Sequence, residues 1–427
     1  MAQERAESLK AIAKIDTSKC PRSPEYETVI EVFARNLYDP TKIGDLQALK
    51  SKHNCEIKMP GDAVKFANKE ISALDGHSVL HTKPEIEAMR LEEKGDLVGI
   101  GATFTRPNAI DANTDKGPIT VASLIKDAPA QKAGLRVGDQ IVAIDKKPVE
   151  LEHLSNAIER VRGTSESTVK LTVARDGRTI DLDITRAQVH FPTVSEKSLS
   201  DGIAYVRLNS FVPERGPIEL YNALEKHKSA KAVVFDLRNN LGGAENNAVL
   251  TAALFMDHGV ITNLRQRVDS SPQAPIFADR SYALSKDSTV VTKGGASKSY
   301  GRPPDMVNVP VVVLVNEYSA SASELVAGAL RDNGDAKLVG TQTYGKGVGQ
   351  AFIPIPSVDG LLRVTTVKDT TPNGHWVGDG SKNKIGLKPD IEVKLPEGVR
   401  LGAANDTQLN AAVLYLKTQI AAGRKAH

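Results

Sequence analysis

Cysteine is nearly absent from this chain. Cys20 and Cys55 are the only two in 427 residues, which excludes a disulfide-dense scaffold and a four-cysteine zinc site. An excess of one charge is also missing. Lys plus Arg number 55 and Asp plus Glu 52, a net charge of +3, so the chain as a whole has no pull toward nucleic acid or anionic membrane. No apolar run approaches the roughly 18 residues of a membrane-spanning helix. The longest strongly apolar stretch, Val309–Val315, reads as one buried strand. The opening Met-Ala-Gln-Glu-Arg-Ala-Glu has no apolar core of a secretory signal, which fits a mature or recombinant start as well as a cytosolic one.

Several catalytic signatures are missing too. No Gly-x-Ser-x-Gly elbow occurs, which argues against an α/β-hydrolase triad. Neither His-Glu-x-x-His nor a P-loop is present, so zinc-protease and P-loop nucleotide readings fail. His77 and His81 have i,i+4 spacing but follow an Asp-Gly turn and lack a third ligand, so no metal and no cofactor is expected.

What is present is ordinary globular material. Hydrophobic residues make up 40% and charged residues 25%, which rules out wholesale disorder. At about 100–200 residues per domain the length predicts two to four domains. The first, residues 1–85, is expected to be a helical N-terminal region, because Glu27–Leu37 and Asp62–Leu74 place their apolar residues at helical spacing.

Residues 86–190 contain the run Ala128-Pro129-Ala130, then Ala133-Gly134-Leu135, then Gly138-Asp139-Gln140-Ile141-Val142-Ala143-Ile144. This segment resembles a PDZ domain. The resemblance implies a groove between the strand after Gly101 and the helix at Leu151–Val161. That groove would take an extended peptide as an added strand and hold its terminal carboxylate on backbone N–H groups. Val98, Gly99, Ile100 and Gly101 are the expected peptide-binding residues, because glycine lets a backbone loop approach an anion closely. The same glycines would also suit a bare tight turn.

In residues 191–395 strands alternate with helices, which argues for an α/β core. The polar stretch Val268–Asp305 reads as a cover over a cleft or as a surface excursion with one small hairpin. Residues 396–427 end in a helix with Leu409, Ala412, Val413, Leu416 and Ile420 on one face, packing on the core or in an oligomer contact.

Two segments carry the chemistry. The first is Ser319-Ala320-Ser321-Ala322-Ser323-Glu324, which follows a buried strand and opens a helix. Free N–H groups at a helix N-terminus favour developing negative charge. Ser321 with Glu324 also fits a plain capping box. The second is Gly345-Lys346-Gly347-Val348-Gly349-Gln350. Glycines around Lys346 let backbone pack against it, and desolvation lowers a lysine pKa. A neutral lysine can take a serine proton, giving a Ser–Lys dyad. Gln350 would share Lys346's side on a helix or on a strand.

These segments resemble the carboxy-terminal processing peptidase family of serine proteases. So do Asp236-Leu237-Arg238-Asn239-Asn240-Leu241-Gly242-Gly243, Leu74-Asp75-Gly76-His77-Ser78 and Thr370-Thr371-Pro372-Asn373-Gly374. The family's lysine lies 25 positions after its nucleophile, and that spacing selects Ser321 with Lys346 and carries the family's glutamine onto Gln350. The resemblance implies a crotonase-like α/β catalytic core with an inserted PDZ domain that recognises substrate C-termini and gates the site. Oxyanion donors are expected from Ala322 and from Gly242 or Gly243. Arg175 matches an arginine that links PDZ domain to core. Gly76 stands where proline is usual, and Asp369 where tyrosine usually follows the strand lysine.

The implied function is a serine endopeptidase cleaving proteins near their C-termini, in an extracytoplasmic compartment. Its expected partners are protein or peptide substrates with accessible C-termini, with an activating adaptor and self-association left open. The rival is a catalytically silent adaptor that works through the PDZ groove. A Cys20–Cys55 disulfide would suit an oxidising compartment, and two free thiols fit the sequence equally.

Overall fold

The computed structural model describes residues 20–105, 119–149, 154–190, 192–268, 275–285, 288–293, 296–301, 307–396 and 399–423. The start of the helix expected at Leu151–Val161 and part of the stretch 268–305 lie outside these residues.

The helices expected near the N-terminus form. Ser23 caps α1 (Pro24–Asn36), its side chain accepting the Tyr26 N–H, and Pro24 fits the first turn where no donor is needed. Then come α2 (Leu46–Ser51), α3 (Pro60–Leu74), β1 (Val79–His81) and α4 (Lys83–Glu93). A Cys20–Cys55 disulfide ties the segment before α1 to the one after α2. This region is not a free-standing helical unit. Its core of Tyr26, Ile30, Phe33 and Ile71 closes over Ile355, Leu362 and Val364 of the α/β core. Helices α1 and α3 each bury one apolar face and must find a partner surface, and a sheet supplies it.

The second unit holds β2 (Asp96–Gly99), β3 (Ala102–Thr105), β4 (Ile119–Leu124), α5 (Pro129–Lys132), β5 (Gln140–Ile144), β6 (Lys147–Pro148), α6 (Leu154–Val161), β7 (Thr168–Arg175), β8 (Arg178–Thr185) and β9 (Ala187–His190). Its sheet runs β3-β4-β5-β7-β8, with β6 on β5. Strand β3 is an edge, paired only with β4 among the described strands. Strands β2 and β9 pair with each other as a two-stranded ribbon, Asp96 opposite His190 and Gly99 opposite Ala187. The entry from α4 and the exit to the third unit both pass through that ribbon.

The third unit contains β10 (Val194–Ser198), β11 (Ile203–Leu208), α7 (Gly216–Lys226), β12 (Ala232–Asp236), α8 (Glu245–Ala252), β13 (Gly259–Arg267), β14 (Phe277–Ser285), β15 (Ser288–Lys293), β16 (Ala296–Gly301), β17 (Val311–Val315), α9 (Ala322–Asp332), β18 (Ala336–Gly340), β19 (Val348–Ile355), β20 (Gly360–Thr370), β21 (Ile391–Glu392) and α10 (Thr407–Ala421). One sheet runs β10-β11-β12-β17-β18-β21, parallel except at β10. Val311, Val313 and Val315 of β17 face one core, and Val312 and Leu314 the other, where Leu409, Ala412 and Leu416 of α10 pack. Burial on both faces explains why this strand reads as a continuous apolar run.

The other sheet is antiparallel, in the order β1-β20-β13-β14-β15-β16, with β19 on the free side of β20. The polar stretch 268–305 therefore differs from the expected excursion with one hairpin. It carries β14, β15 and β16, a meander that extends this sheet.

Candidate active site

Two adjacent parallel strands, β12 and β17, end beside each other, and the loops after them build the site. Crevices at the carboxyl ends of strands in α/β sheets are where such folds bind ligands. The loop after β12 is Leu237–Gly243. The loop after β17 leads to Ser321 at the N-terminus of α9.

The serine triplet resolves by burial. Ser319 and Ser323 are fully buried and spent on backbone. Ser319 Oγ donates to Leu237 O at 2.9 Å and Ser323 Oγ to Asn240 O at 2.7 Å. They lace the two loops together, with Ala320 N–H donating to Asn240 O at 3.0 Å. Ser321 alone of the three opens on the cavity. Its backbone stands at φ 55° and ψ −117°, a region costly for any residue with a Cβ, and it turns the hydroxyl out of the helix end.

The cavity holds about 720 Å³, and Ser321, Lys346, Gln350, Gly242, Gly243 and Ala322 all line it. The structure thus brings together every residue expected of the dyad, its orienting group and the oxyanion donors. Lys346 lies between β18 and β19, in a bridge to Asp379, and Gln350 is on β19. Lys346 Nζ donates to Gln350 Oε1 at 3.2 Å. Among the described residues no hydrogen bond joins Ser321 to Lys346 Nζ. Burial pulls the Lys346 pKa below the ordinary lysine value, and the Arg363 charge adds to this.

Gly242 and Gly243 separate in role. Gly242 N–H donates to Asn240 Oδ1 at 3.0 Å. A Cβ there would meet Ala320 O at 2.7 Å and Ala322 N at 2.9 Å, and with φ 96° only glycine fits. Gly243 N–H has no acceptor among the described residues, and Gly243 is exposed.

The sequence reading missed one central residue. Glu324, read as half of a capping box, is 1% exposed. Its carboxylate accepts from Ser321 N at 2.9 Å, as a cap would. It also accepts from Gly345 N at 2.7 Å, Lys346 N at 2.8 Å and Thr343 Oγ1 at 2.5 Å. Burial raises its pKa, against these hydrogen bonds. Nothing local in the sequence announces the far side of this staple.

A second hidden network sits behind the loop after β12. Arg238 Nη2 meets Asp236 Oδ2 at 2.6 Å and Asp406 Oδ2 at 2.8 Å, all three side chains fully buried. Gln408 Oε1 accepts from Arg238 Nη1 at 3.0 Å, and Tyr205 Oη donates to Asp236 at 2.7 Å. These carboxylates raise the arginine pKa against the cost of burial.

The Leu74–Ser78 motif reaches the site from below. His77 Nε2 meets Asp379 O at 2.6 Å, and burial lowers the histidine pKa. Asp75 accepts from Thr365 Oγ1 at 2.8 Å. Among the described residues no group of three or more His, Cys, Asp or Glu is placed to hold a metal.

In the PDZ-like unit the singled-out residues have defined partners. Among the described residues, the hydrogen bonds of Arg175 stay within this unit. Its guanidinium forks onto Asp139, Nε to Oδ1 and Nη2 to Oδ2 at 2.6 Å each, and donates to Gly134 O at 2.7 Å. A buried carboxylate on the neighbouring segment captures it, as planar fork geometry favours. The ribbon itself touches the core, where His190 Nε2 meets Glu219 Oε1 of α7 at 3.4 Å. Val98 and Gly99 lie inside the ribbon, opposite Gln188 and Ala187. Ile100 and Gly101 form the turn into β3, their carbonyls accepting from Ala130 N and Ile125 N.

Comparison with known proteins agrees with this architecture. The pattern of Peptidase family S41 matches residues 202–393, and that of a PDZ domain residues 120–175. A protein named a probable CtpA-like serine protease from Staphylococcus haemolyticus (strain JCSC1435) is 34% identical over 349 residues, 80% of this chain and 61% of that protein. One of the same name from Staphylococcus aureus (strain COL) is 30% identical over 387 residues, 88% of this chain and 70% of that protein. The chain thus spans about three fifths of the first relative's length. Among solved structures, a photosystem II D1 C-terminal processing protease has a TM-score of 0.54 at 25% identity, covering 88% of this chain and 95% of that one. Catalytic-core and PDZ-like units alike fall within these matches, and the chain belongs to peptidase family S41, with the CtpA-like serine proteases.

Proposed function

We propose that this chain is a serine endopeptidase that cleaves proteins near their C-termini, with Ser321 as nucleophile and Lys346 as general base. The observation that carries this reading is the shared cavity. The one serine of the triplet that is not spent on backbone opens beside a lysine whose charge is disfavoured by burial.

In the first step Ser321 Oγ attacks the peptide carbonyl while neutral Lys346 takes its proton. Gln350 Oε1 accepts from Nζ and fixes its direction. The N–H groups of Gly243 and Ala322 receive the oxyanion. Gly242 supplies the close packing that brings the two loops together. The Lys346 ammonium then protonates the leaving amine, and the acyl ester forms on Ser321. In the second half water attacks the ester, Lys346 takes its proton and passes it to the departing Ser321 Oγ, and the acyl group leaves as the new C-terminal carboxylate. Catalytic hydrogen bonds are often long in a site without substrate, which is compatible with the separate Ser321 and Lys346 side chains.

The PDZ-like unit would take the substrate C-terminus along the open edge of β3, at the turn of Ile100 and Gly101. The Cys20–Cys55 disulfide supports an extracytoplasmic site of action. No helix among the described residues is long and apolar enough to cross a membrane.

The test is cleavage of an unfolded protein with an apolar C-terminus, together with labelling by a serine-reactive probe, with and without added C-terminal peptide. Wild type should cleave and be labelled at Ser321. Ser321→Ala and Lys346→Ala should do neither. A chain never labelled at Ser321 would instead be a peptide-binding adaptor.

A further inference from the structure

Beside the dyad, the cavity wall contains charged groups for which the proposed mechanism has no use, Asp369 among them. Asp369 is near the end of β20, directly across from Leu264 on β13, so both side chains lie on one face of the sheet. Leu325, one helical turn after Ser321, lines the same cavity. The Asp369 carboxylate has no hydrogen-bonding or ion-pair partner in another residue among those described. Glu245, another carboxylate on this cavity, is already matched by Arg280 at 2.9 Å. An unpaired carboxylate among leucines is unfavourable, and a ligand that brings a donor removes the penalty.

We infer that Asp369 selects substrates with a basic side chain beside the scissile bond. The aliphatic stem of a lysine or arginine would lie on Leu264 and Leu325, and its cationic tip would reach the carboxylate. This rests on Ser321 being the nucleophile, because the pocket is placed relative to it.

The same geometry makes the selection depend on pH. Burial pushes the Asp369 pKa up to about 7, with Glu245 and Glu324 adding to the rise and Lys346 opposing it. Arg363, on the same strand, also opens on the cavity. Below that pKa the group is a neutral acid and above it an anion, so selection for a cation strengthens as pH rises through about 7.

The experiment measures kcat/KM for matched peptides with arginine, lysine or uncharged norleucine on either side of one cleavage site. Both members of a pair use the same base, so their ratio cancels the titration of Lys346. Wild type should prefer the basic peptide at one of the two positions by about 10- to 100-fold, the range of a hydrogen bond to a charged group. Asp369→Asn should bring the ratio near one, and Asp369→Glu should keep a preference. In wild type the ratio should climb between pH 6 and 8, about one unit either side of that pKa, a measurement that stands even if a variant fails to fold. A wild-type ratio near one that does not change with pH overturns the inference. Cleavage that survives Ser321→Ala would instead overturn the catalytic assignment.

Discussion

Glu324 holds Lys346 by its backbone, the carboxylate Oε2 accepting the Lys346 N–H at 2.8 Å. The same oxygen accepts the Ser321 N–H at 2.9 Å. One side chain therefore fixes the two halves of the proposed dyad against each other.

Replacing Glu324 with Ala should strand the N–H groups of Ser321, Gly345 and Lys346 and the Thr343 hydroxyl. Each unsatisfied buried donor costs about 1–3 kcal/mol. The variant should melt at clearly lower temperature, and its kcat should fall more than its KM rises. A normal kcat in a folded Glu324→Ala protein would show that the staple does not position the dyad.

The Lys346 pKa lies below the ordinary lysine value because of burial first and the Arg363 charge second. A general base works when neutral, so kcat/KM should rise with pH through that pKa and then level off. Arg363→Gln removes a like charge and should move the rising limb to higher pH, whatever it does to its height. Lys346→Arg should be inactive at every pH, because arginine stays protonated. A limb that does not move in Arg363→Gln would deny the electrostatic coupling.

Arg238 and Asp406 pair at 2.8 Å with both side chains at 0% exposure. Breaking a buried pair by removing one partner costs about 3–5 kcal/mol. Asp406→Ala should therefore lower the unfolding free energy by about that amount in denaturant titration. Arg238 lies in the loop that carries Gly242 and Gly243, so activity should fall as well. Retained stability would mean that water or a rearranged side chain replaces the carboxylate.

The Cys20–Cys55 bond closes a loop across 35 positions. In the chain-entropy account such a loop stabilises by about 3–4 kcal/mol. Cys55→Ser, or reductant on the wild type, should lower the melting temperature and leave cleavage measurable well below it. Mass spectrometry with and without reductant would report the bond directly. An unchanged melting temperature would separate the N-terminal packing from the disulfide.

Much of the site was legible in the sequence because its parts are local. A serine at a strand-to-helix turn, a lysine among glycines and a glycine pair after an apolar strand each show within a few residues. Partners that meet only through the fold were not legible. Glu324 looked like a helix cap because its other acceptor contacts come from the 343–346 loop. Asp406 and Arg238 are 168 positions apart. Arg175 looked free to reach the core because its captor Asp139 sits 36 positions away on a neighbouring segment. The short strand Val79–His81 gave no periodic signal, yet it joins the helical N-terminal segment to the sheet of β20. Three residues cannot show alternation, so only the partner strand defines them.

The ribbon of β2 and β9 has a bearing on how such a chain can be rearranged. Asp96 stands opposite His190, so entry to and exit from the whole PDZ-like unit are neighbours on paired strands, about 5 Å apart. A cassette with adjoining ends can be lifted out and the gap sealed with a tight turn, without asking the rest of the polypeptide to change its route. The same doorway would admit a different module, so that, under the proposed function, cutting and addressing would be separable inheritances written in one chain.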